Sequence, residues 1–274
     1  MNINQFSEVN FSVLICVYIN DNPNVFDSAL KSIFNNTLQP KEVILVIDGK
    51  INKKLENIIN SYRHYDYFCT VRNINNPGFV NSLNIGLKHI SSEWVIRCDA
   101  DDINNLNRFK ILSNHMTGEI DLFGSYIAEI NGNNEIYSIK RVPLMHADIL
   151  RTMKTRNPFN HMSVAFRRNL ALKLGGYPKI ELREDYGLWA SMLASGAKSK
   201  NIKDILVHAS AGNKMFKRRK GGAIINAEIT LQSHLVKTNM SSLHEAILFG
   251  FLRIISFKLP KSLIKIIYVN ILRR

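Results

Sequence analysis

Over its first hundred residues the chain alternates apolar, β-rich runs with amphipathic helical patterns, and that alternation limits the possible fold more than any other feature. Phe11–Tyr18 is mostly apolar, as a central parallel strand would be. Asn20-Asp21-Asn22-Pro23 supplies turn and N-cap residues, with Pro at the first helical position. Phe26, Ala29, Leu30, Ile33 and Phe34 then share one helical face. A second apolar strand, Glu42–Ile47, ends in Asp48-Gly49, and Ile51, Leu55, Ile58, Ile59 and Tyr62 give another helical face. A short strand near Tyr67–Val71, a helix through Val80, Leu83, Leu87 and Ile90, and a strand at Trp94–Cys98 complete the series. The pattern predicts an α/β fold: a Rossmann-like, mostly parallel sheet flanked by helices on both faces. Ligands of such sheets bind at the carboxyl ends of the strands.

Three acids crowd the carboxyl end of the fourth strand, in Arg97-Cys98-Asp99-Ala100-Asp101-Asp102. Clustered carboxylates repel one another and are costly to desolvate. If the chain stays extended, Asp99 and Asp101 share a face, roughly 6–7 Å apart at the backbone. Such a pair suits a hard divalent cation that in turn holds a diphosphate. A solvated acidic turn capping the next helix is the alternative. No Gly-x-Gly-x-x-Gly follows the first strand and no Walker motif is present, which argues against a dinucleotide cofactor and P-loop chemistry.

The second half is less regular. Leu122–Ile130 reads as a strand before a hairpin-type turn at Asn131–Asn134, and Asn160–Phe166 alternates like a strand. Leu170–Leu174 reads as a short helix stopped by Gly175-Gly176-Tyr177-Pro178. Glu184-Asp185 opens a helix with core face Leu188, Trp189, Met192 and Leu193, and Ile205–His208 reads as a last strand. Two helical stretches follow, near Ile224–Lys237 and Leu243–Arg273. Net charge is +14, and the stretch from Lys198 onward carries fifteen Lys/Arg against three acids. A basic C-terminal third points to an anionic partner. Beyond Leu243, apolar residues interrupted by Arg253 and Lys258 form a run too short for the roughly 20 residues that span a bilayer. Apolar surface flanked by cations suits a headgroup layer, and a helical pair packed on the protein is the alternative. Cys16, Cys69 and Cys98 lie in or beside apolar runs, the reading of buried reduced thiols, and Met1–Gln5 has no signal-peptide character. Together these predict a cytoplasmic protein.

The order of motifs resembles a family-2 glycosyltransferase of the GT-A fold, the kind that builds bacterial O-antigen and capsule polysaccharides. The resemblance rests on Ser12–Tyr18, Val46-Ile47-Asp48-Gly49, Asn76-Pro77-Gly78 with Leu83-Asn84-Ile85-Gly86-Leu87, Asp99-Ala100-Asp101-Asp102, Asn160-His161-Met162-Ser163 and Arg183-Glu184-Asp185-Tyr186. It implies one GT-A domain over residues 1–222, with a nucleotide-sugar half (about 1–130) and an acceptor half (131–222). Residues 223–274 would form a basic amphipathic region on the membrane. Val17, Tyr18 and Asn20 would border the nucleotide base and Asp48 would accept from its pyrimidine edge, with Asn84 and Ala100 also at the nucleotide sugar. Asp99 would lie near ribose and metal, and Asp101 would ligate Mg²⁺ or Mn²⁺. His208 would be a third metal ligand or a diphosphate contact, with a structural histidine as the alternative. Asp185 would be the catalytic base of an inverting transfer, or else a helix-capping acid beside Arg183. Glu184, Asn160 and His161 would sit by the acceptor. Arg218 and Arg219, in the basic run Lys214–Lys220, would close over a diphosphate or remain a solvated loop. The implied donor is a UDP-hexose, galactose or glucose favoured. The implied acceptor is a sugar on a polyprenyl diphosphate at the inner face of the cytoplasmic membrane. Relatives often carry Pro at Cys16 and a basic residue within Asn81–Leu83.

Two other classes are weaker. A sugar nucleotidyltransferase wants a Gly-rich, basic loop after the first strand, where this chain has Ile19-Asn20-Asp21-Asn22. A nucleic-acid-binding protein wants aromatics within its basic run, and Lys214–Lys220 has only Phe216.

Overall fold

The computed structural model describes residues 10–258, apart from 117, 132, 134 and 211–221. Strand β1 (Phe11–Tyr18) lies between β2 (Glu42–Asp48) and β4 (Trp94–Cys98), and β3 (Phe68–Asn73) pairs with β2; all these pairings are parallel. Helices α1 (Pro23–Phe34), α2 (Lys53–Ser61) and α3 (Phe79–His89) make the crossovers. Helix α1 starts where Asn22 accepts from the backbone N–H groups of Asn24 and Val25, with Pro23 first in the helix.

Strand β1 is buried on both faces, so its side chains alternate between two cores. Phe11, Val13, Ile15 and Val17 join Phe26, Leu30, Ile33, Leu55 and Ile59 on the α1/α2 side. Leu14 and Cys16 join Leu83, Leu87 and Trp189 on the other. Helix α3 approaches so closely that a Cβ at Gly86 would lie 2.3 Å from Leu14 Cδ1. This close approach accounts for the glycine of the Leu83–Leu87 motif.

Beyond β4 the sheet turns mixed. The order continues β8 (Ala165–Arg167), β6 (Leu122–Ile130), β9 (Ser199–Ser210) and β5 (Ile103–Asn104), with β7 (Ile136–Lys140) paired to β6. The last strand exceeds its expected Ile205–His208, because β9 follows β6 in parallel from Leu122↔Ser199 to Ile130↔Ser210. The polar Lys203-Asp204 pair hides that continuity in the sequence. The expected strand at Asn160–Phe166 is instead a 3₁₀ turn, His161–Ser163, followed by β8. Ser163 Oγ accepts from the Ser125 N–H at 3.0 Å and Asn160 Nδ2 donates to the Ser125 carbonyl at 2.9 Å, so the segment is bent onto β6.

Helices α4 (Arg108–Ser113), α5 (His146–Met153), α6 (Arg168–Lys173), α7 (Glu184–Ala194), α8 (Gly222–Lys237) and α9 (Leu243–Lys258) complete the described chain. Leu231 and Leu235 of α8 belong to the same core as α3 and α7, so the amphipathic reading narrows to α9 and beyond. Cys16 and Cys98 are buried as expected, whereas Cys69 is exposed on edge strand β3. Burial pushes the Cys16 thiol up to about 12, which leaves it inert at neutral pH.

Candidate active site

The parallel strands end on one edge of the sheet, and the loops beyond them lie at that edge. Tyr18 and Asp48 are register partners at the ends of β1 and β2. Asp48 Oδ1 accepts from the Gly78 N–H at 2.7 Å, at a glycine whose φ of 146° opens α3. The turn after β1 is set by Asp21 Oδ2, which accepts from the Tyr18 N–H, and Asn20 is exposed within it. Val17 and Ala100 point into the core, so their side chains do not border a nucleotide as expected; only backbone atoms of these two residues can. Asn84 is also placed differently. Its side chain accepts from the Tyr177 N–H and donates to the Tyr177 carbonyl, clamping α3 to the 175–178 turn.

Strand β4 leaves the ladder at Cys98, opposite Ile15, so the acids lie alongside the end of β1. The chain turns at Ala100-Asp101, and the alternation expected to put Asp99 and Asp101 on one face stops before it reaches them. The three acids consequently have three environments. Asp99 Oδ1 meets Arg97 Nη2 at 2.5 Å and is partly exposed. Asp101 is exposed. Asp102 is buried and accepts from the Ser210 N–H at 2.9 Å. Burial first, then the charges of Asp99 and Asp101, raise its pKa well above the usual carboxylate range. His208 is the register partner of Ile103, one residue past Asp102. Among the described residues no three of His, Cys, Asp and Glu gather as a cation cluster, so the set Asp99, Asp101 and His208 is not assembled. Arg218 and Arg219, with the rest of Lys214–Lys220, lie outside the described residues.

The second half of the site is built around the first turn of α7. Asp185 is the second residue of that helix, where N–H groups and the helix dipole favour an anion. Its carboxylate is 17% exposed, open enough to reach a bound hydroxyl. Asn157 Nδ2 donates to Asp185 Oδ2 at 2.6 Å, and His161 Nδ1 lies 3.6 Å from the same oxygen. Leu182, just before the helix, has φ 64°, a left-handed conformation that costs a branched residue about 1–3 kcal/mol and that the surrounding fold must hold.

Glu184 and Asp185 are adjacent carboxyls driven apart. Burial alone would raise Asp185; hydrogen bonding by the His161 ring and the Tyr186 N–H, with the Arg183 charge, outweighs it and holds it below its ordinary value. Burial and the Asp185 charge push Glu184 up to about 7. A carboxyl whose folded pKa is raised destabilises the fold as pH climbs from its unfolded to its folded value, and by a constant amount above that. We therefore expect the advantage of Glu184→Gln over wild type in urea unfolding to grow by about 3 kcal/mol between pH 4.5 and 8. A difference that stayed flat with pH would contradict this environment for Glu184.

The two halves are joined by a residue that the sequence pattern did not single out. Arg97 is 1% exposed. Besides Asp99, its Nη1 donates to the Leu14 carbonyl at 3.1 Å and its Nε to His161 Nε2 at 2.9 Å. A charged residue inside an otherwise apolar strand was the available signal, since a fully buried arginine is almost always paired. Asn157 carried no such signal. Asn160, expected at the acceptor, is 1% exposed and holds the 3₁₀ turn to β6.

The acids at the end of β4 and the carboxylate at the start of α7 are linked through Arg97 and His161. The Glycosyl transferase family 2 model matches residues 12–175. The chain belongs to this family. It is 38% identical to an Escherichia coli UDP-Gal:alpha-D-GlcNAc-diphosphoundecaprenol beta-1,3-galactosyltransferase over 96% of this chain and 97% of the relative. It is 29% identical to the amylovoran biosynthesis glycosyltransferase AmsE of Erwinia amylovora, over 94% and 97%. Among solved structures, S. aureus TarS 1-349 in complex with UDP-GlcNAc superposes with a TM-score of 0.66 at 18% identity, over 86% of this chain and 69% of that one. The Pyrobaculum calidifontis mannosyltransferase PcManGT with GDP-Man and Mn²⁺ gives 0.57 at 13%, over 90% and 80%. The fold of this family-2 enzyme is thus the GT-A fold, and its reaction is glycosyl transfer from a nucleotide sugar in polysaccharide synthesis. Asp101, exposed at the strand ends, and Asp99, half-turned toward Arg97, present the hard oxygens suited to a divalent cation completed by substrate phosphates rather than by a protein cage.

Proposed function

We propose that the enzyme transfers galactose, with inversion, from UDP-galactose to a sugar carried on a polyprenyl diphosphate. The acceptor hydroxyl oxygen attacks the anomeric carbon, the bond from that carbon to the diphosphate breaks, and UDP leaves with the electron pair. Asp185 takes the hydroxyl proton. Tyr18, Asn20 and Asp48 line the nucleotide side, and Asp99 and Asp101 would hold Mg²⁺ or Mn²⁺ together with the donor diphosphate. When bound, the cation neutralises charge developing on the leaving group. The observation that carries this reading is the partly exposed Asp185 carboxylate, held ionised at a helix start and linked through His161 and Arg97 to Asp99. The E. coli relative's named donor and acceptor favour galactose and a GlcNAc-diphosphate lipid.

The test is UDP release from a panel of UDP-sugars, with Mn²⁺, Mg²⁺ or EDTA and a synthetic GlcNAc-diphosphate lipid. We expect turnover with UDP-galactose that EDTA abolishes. Turnover with another donor alone would correct the sugar; turnover undiminished by EDTA would remove the cation from the reading.

The membrane belongs to the same proposal. No described helix is long and apolar enough to cross a bilayer. One side of α9 packs inward through Ala246, Gly250 against Gln232, and Arg253. The other exposes Ile247, Leu248, Phe251, Leu252 and Ile255, in places above 60%. Such a side suits the headgroup boundary, where the lipid acceptor resides. The remaining amphipathic stretch, with Lys261, Lys265, Arg273 and Arg274, lies outside the described residues. Ile247→Glu with Phe251→Glu changes only solvent-facing positions and leaves Arg253 on Glu228. It should move the enzyme from liposome pellets to the supernatant; unchanged sedimentation would remove α9 from membrane binding.

A further inference from the structure

We infer that His161 is a positioning residue for Asp185, locked by Arg97 as the neutral Nδ1–H tautomer. The inference deepens the reading of Asp185 as base and rests on it. Arginine carries five N–H donors and no acceptor. Where Arg97 Nε–H points at His161 Nε2, that nitrogen must offer its lone pair. The ring proton is thereby left on Nδ1, the nitrogen that faces Asp185 Oδ2 at 3.6 Å.

Arg97 is well fixed for this task. Its guanidinium is held by Asp99 and the Leu14 carbonyl and lies 5.5 Å from the centroid of the Phe79 ring. His161 packs against the Tyr177 and Trp189 rings. Its side chain is 12% exposed and both ring nitrogens face protein groups, which leaves little of it for the sugar acceptor.

The consequence concerns the two oxygens of the base. Asn157 and His161 both address Oδ2, and the Tyr186 N–H supports the same carboxylate from the helix backbone. A proton donor on one carboxylate oxygen orients the group and directs the other oxygen to the incoming hydroxyl. A neutral imidazole does so without lowering basicity as far as an imidazolium would. The same ring reports to the donor side, because Arg97 grips Asp99 with its other end.

The experiment uses full-length enzyme labelled with ¹⁵N-histidine. Long-range ¹H–¹⁵N spectra separate the two neutral tautomers and the imidazolium, and the His161 signal is assigned by its absence in His161→Asn. We expect Nδ1 protonated and Nε2 bare at neutral pH. An Nε2–H ring or an imidazolium overturns the proposal, whatever the enzyme's reaction. Kinetics give an independent arm. Asparagine carries an amide N–H where imidazole carries Nδ1–H, while glutamine reaches the Nε2 position. His161→Gln should lower kcat by about 10–100-fold with the donor KM unchanged, and His161→Asn should restore most of it. Equal losses in the two variants, or a loss confined to KM, would overturn it. If Asp185→Asn kept full activity, the base reading itself would be lost, a result separate from the tautomer.

Discussion

Asp185→Asn lowers kcat by about 10²–10⁴-fold while donor binding persists. That range is what general base catalysis contributes, equivalent to about 3–5 kcal/mol of barrier. The amide is isosteric and still offers an oxygen to Asn157 Nδ2, so the first turn of α7 keeps its shape. It cannot take the proton of an acceptor hydroxyl. Donor affinity is retained because the nucleotide-side acids stand on the β4 loop, in a different part of the chain. The measurement is UDP release at saturating donor and acceptor, paired with UDP-sugar titration. The competing base is Glu184, pushed up to about 7 by burial and the Asp185 charge, a value that suits proton transfer, but the residue is only 8% exposed. A kcat within tenfold of wild type would disqualify Asp185. A further collapse in Asp185→Asn with Glu184→Gln would then assign the proton to Glu184.

Arg253→Met destabilises the fold by about 3–5 kcal/mol, the cost of stranding a buried charge. Glu228 of α8 has a fully buried side chain. Its Oε1 accepts from Arg253 Nη1 at 2.8 Å and from Gln232 Nε2 at 2.8 Å, and Arg183 Nε approaches Oε2 to 3.6 Å. Removing Arg253 leaves that carboxylate with the distant Arg183 as its other cation. At about 2–4 °C per kcal/mol for a chain of this size, Tm falls by about 10 °C. Arg253 also donates to the Thr155 carbonyl, two residues from Asn157, so kcat should fall before global unfolding. Adding Glu228→Gln should recover at least half of the lost stability, since it removes the stranded charge. A Tm within 2 °C of wild type in the single variant would mean that water or Arg183 satisfies Glu228 alone.

The nucleotide half was legible in the sequence because its signals are local. Three of the four parallel strands, β1, β2 and β4, are apolar runs bounded by turn residues, and the bounds of β1 and β4 coincide with those read from the residues. Asp48 and the acid cluster fall at carboxyl ends whichever way the strands are ordered, so the alternation alone placed both at the same edge of the sheet. Asp185 was legible as an acid opening a helix. Order of motifs, more than any single one of them, identified the family.

What tertiary structure decided is everything that depends on partners distant in sequence. The i, i+2 rule for Asp99 and Asp101 holds only while the chain stays extended, and a turn at Ala100 ended it. Asn84 and Asn160 carry amide groups that suit a ligand or the backbone equally, and the fold committed both to backbone. The bonds from Arg97 to Leu14, and from Asn157 to Asp185, link residues separated by 83 and 28 positions. No periodicity encodes such distances. Local propensity fixed which segments are strands and helices, because backbone hydrogen bonding and side-chain alternation act over a few residues. Only close packing across the sheet selected which polar side chains face the site, because a buried donor must find its acceptor wherever the chain has brought one.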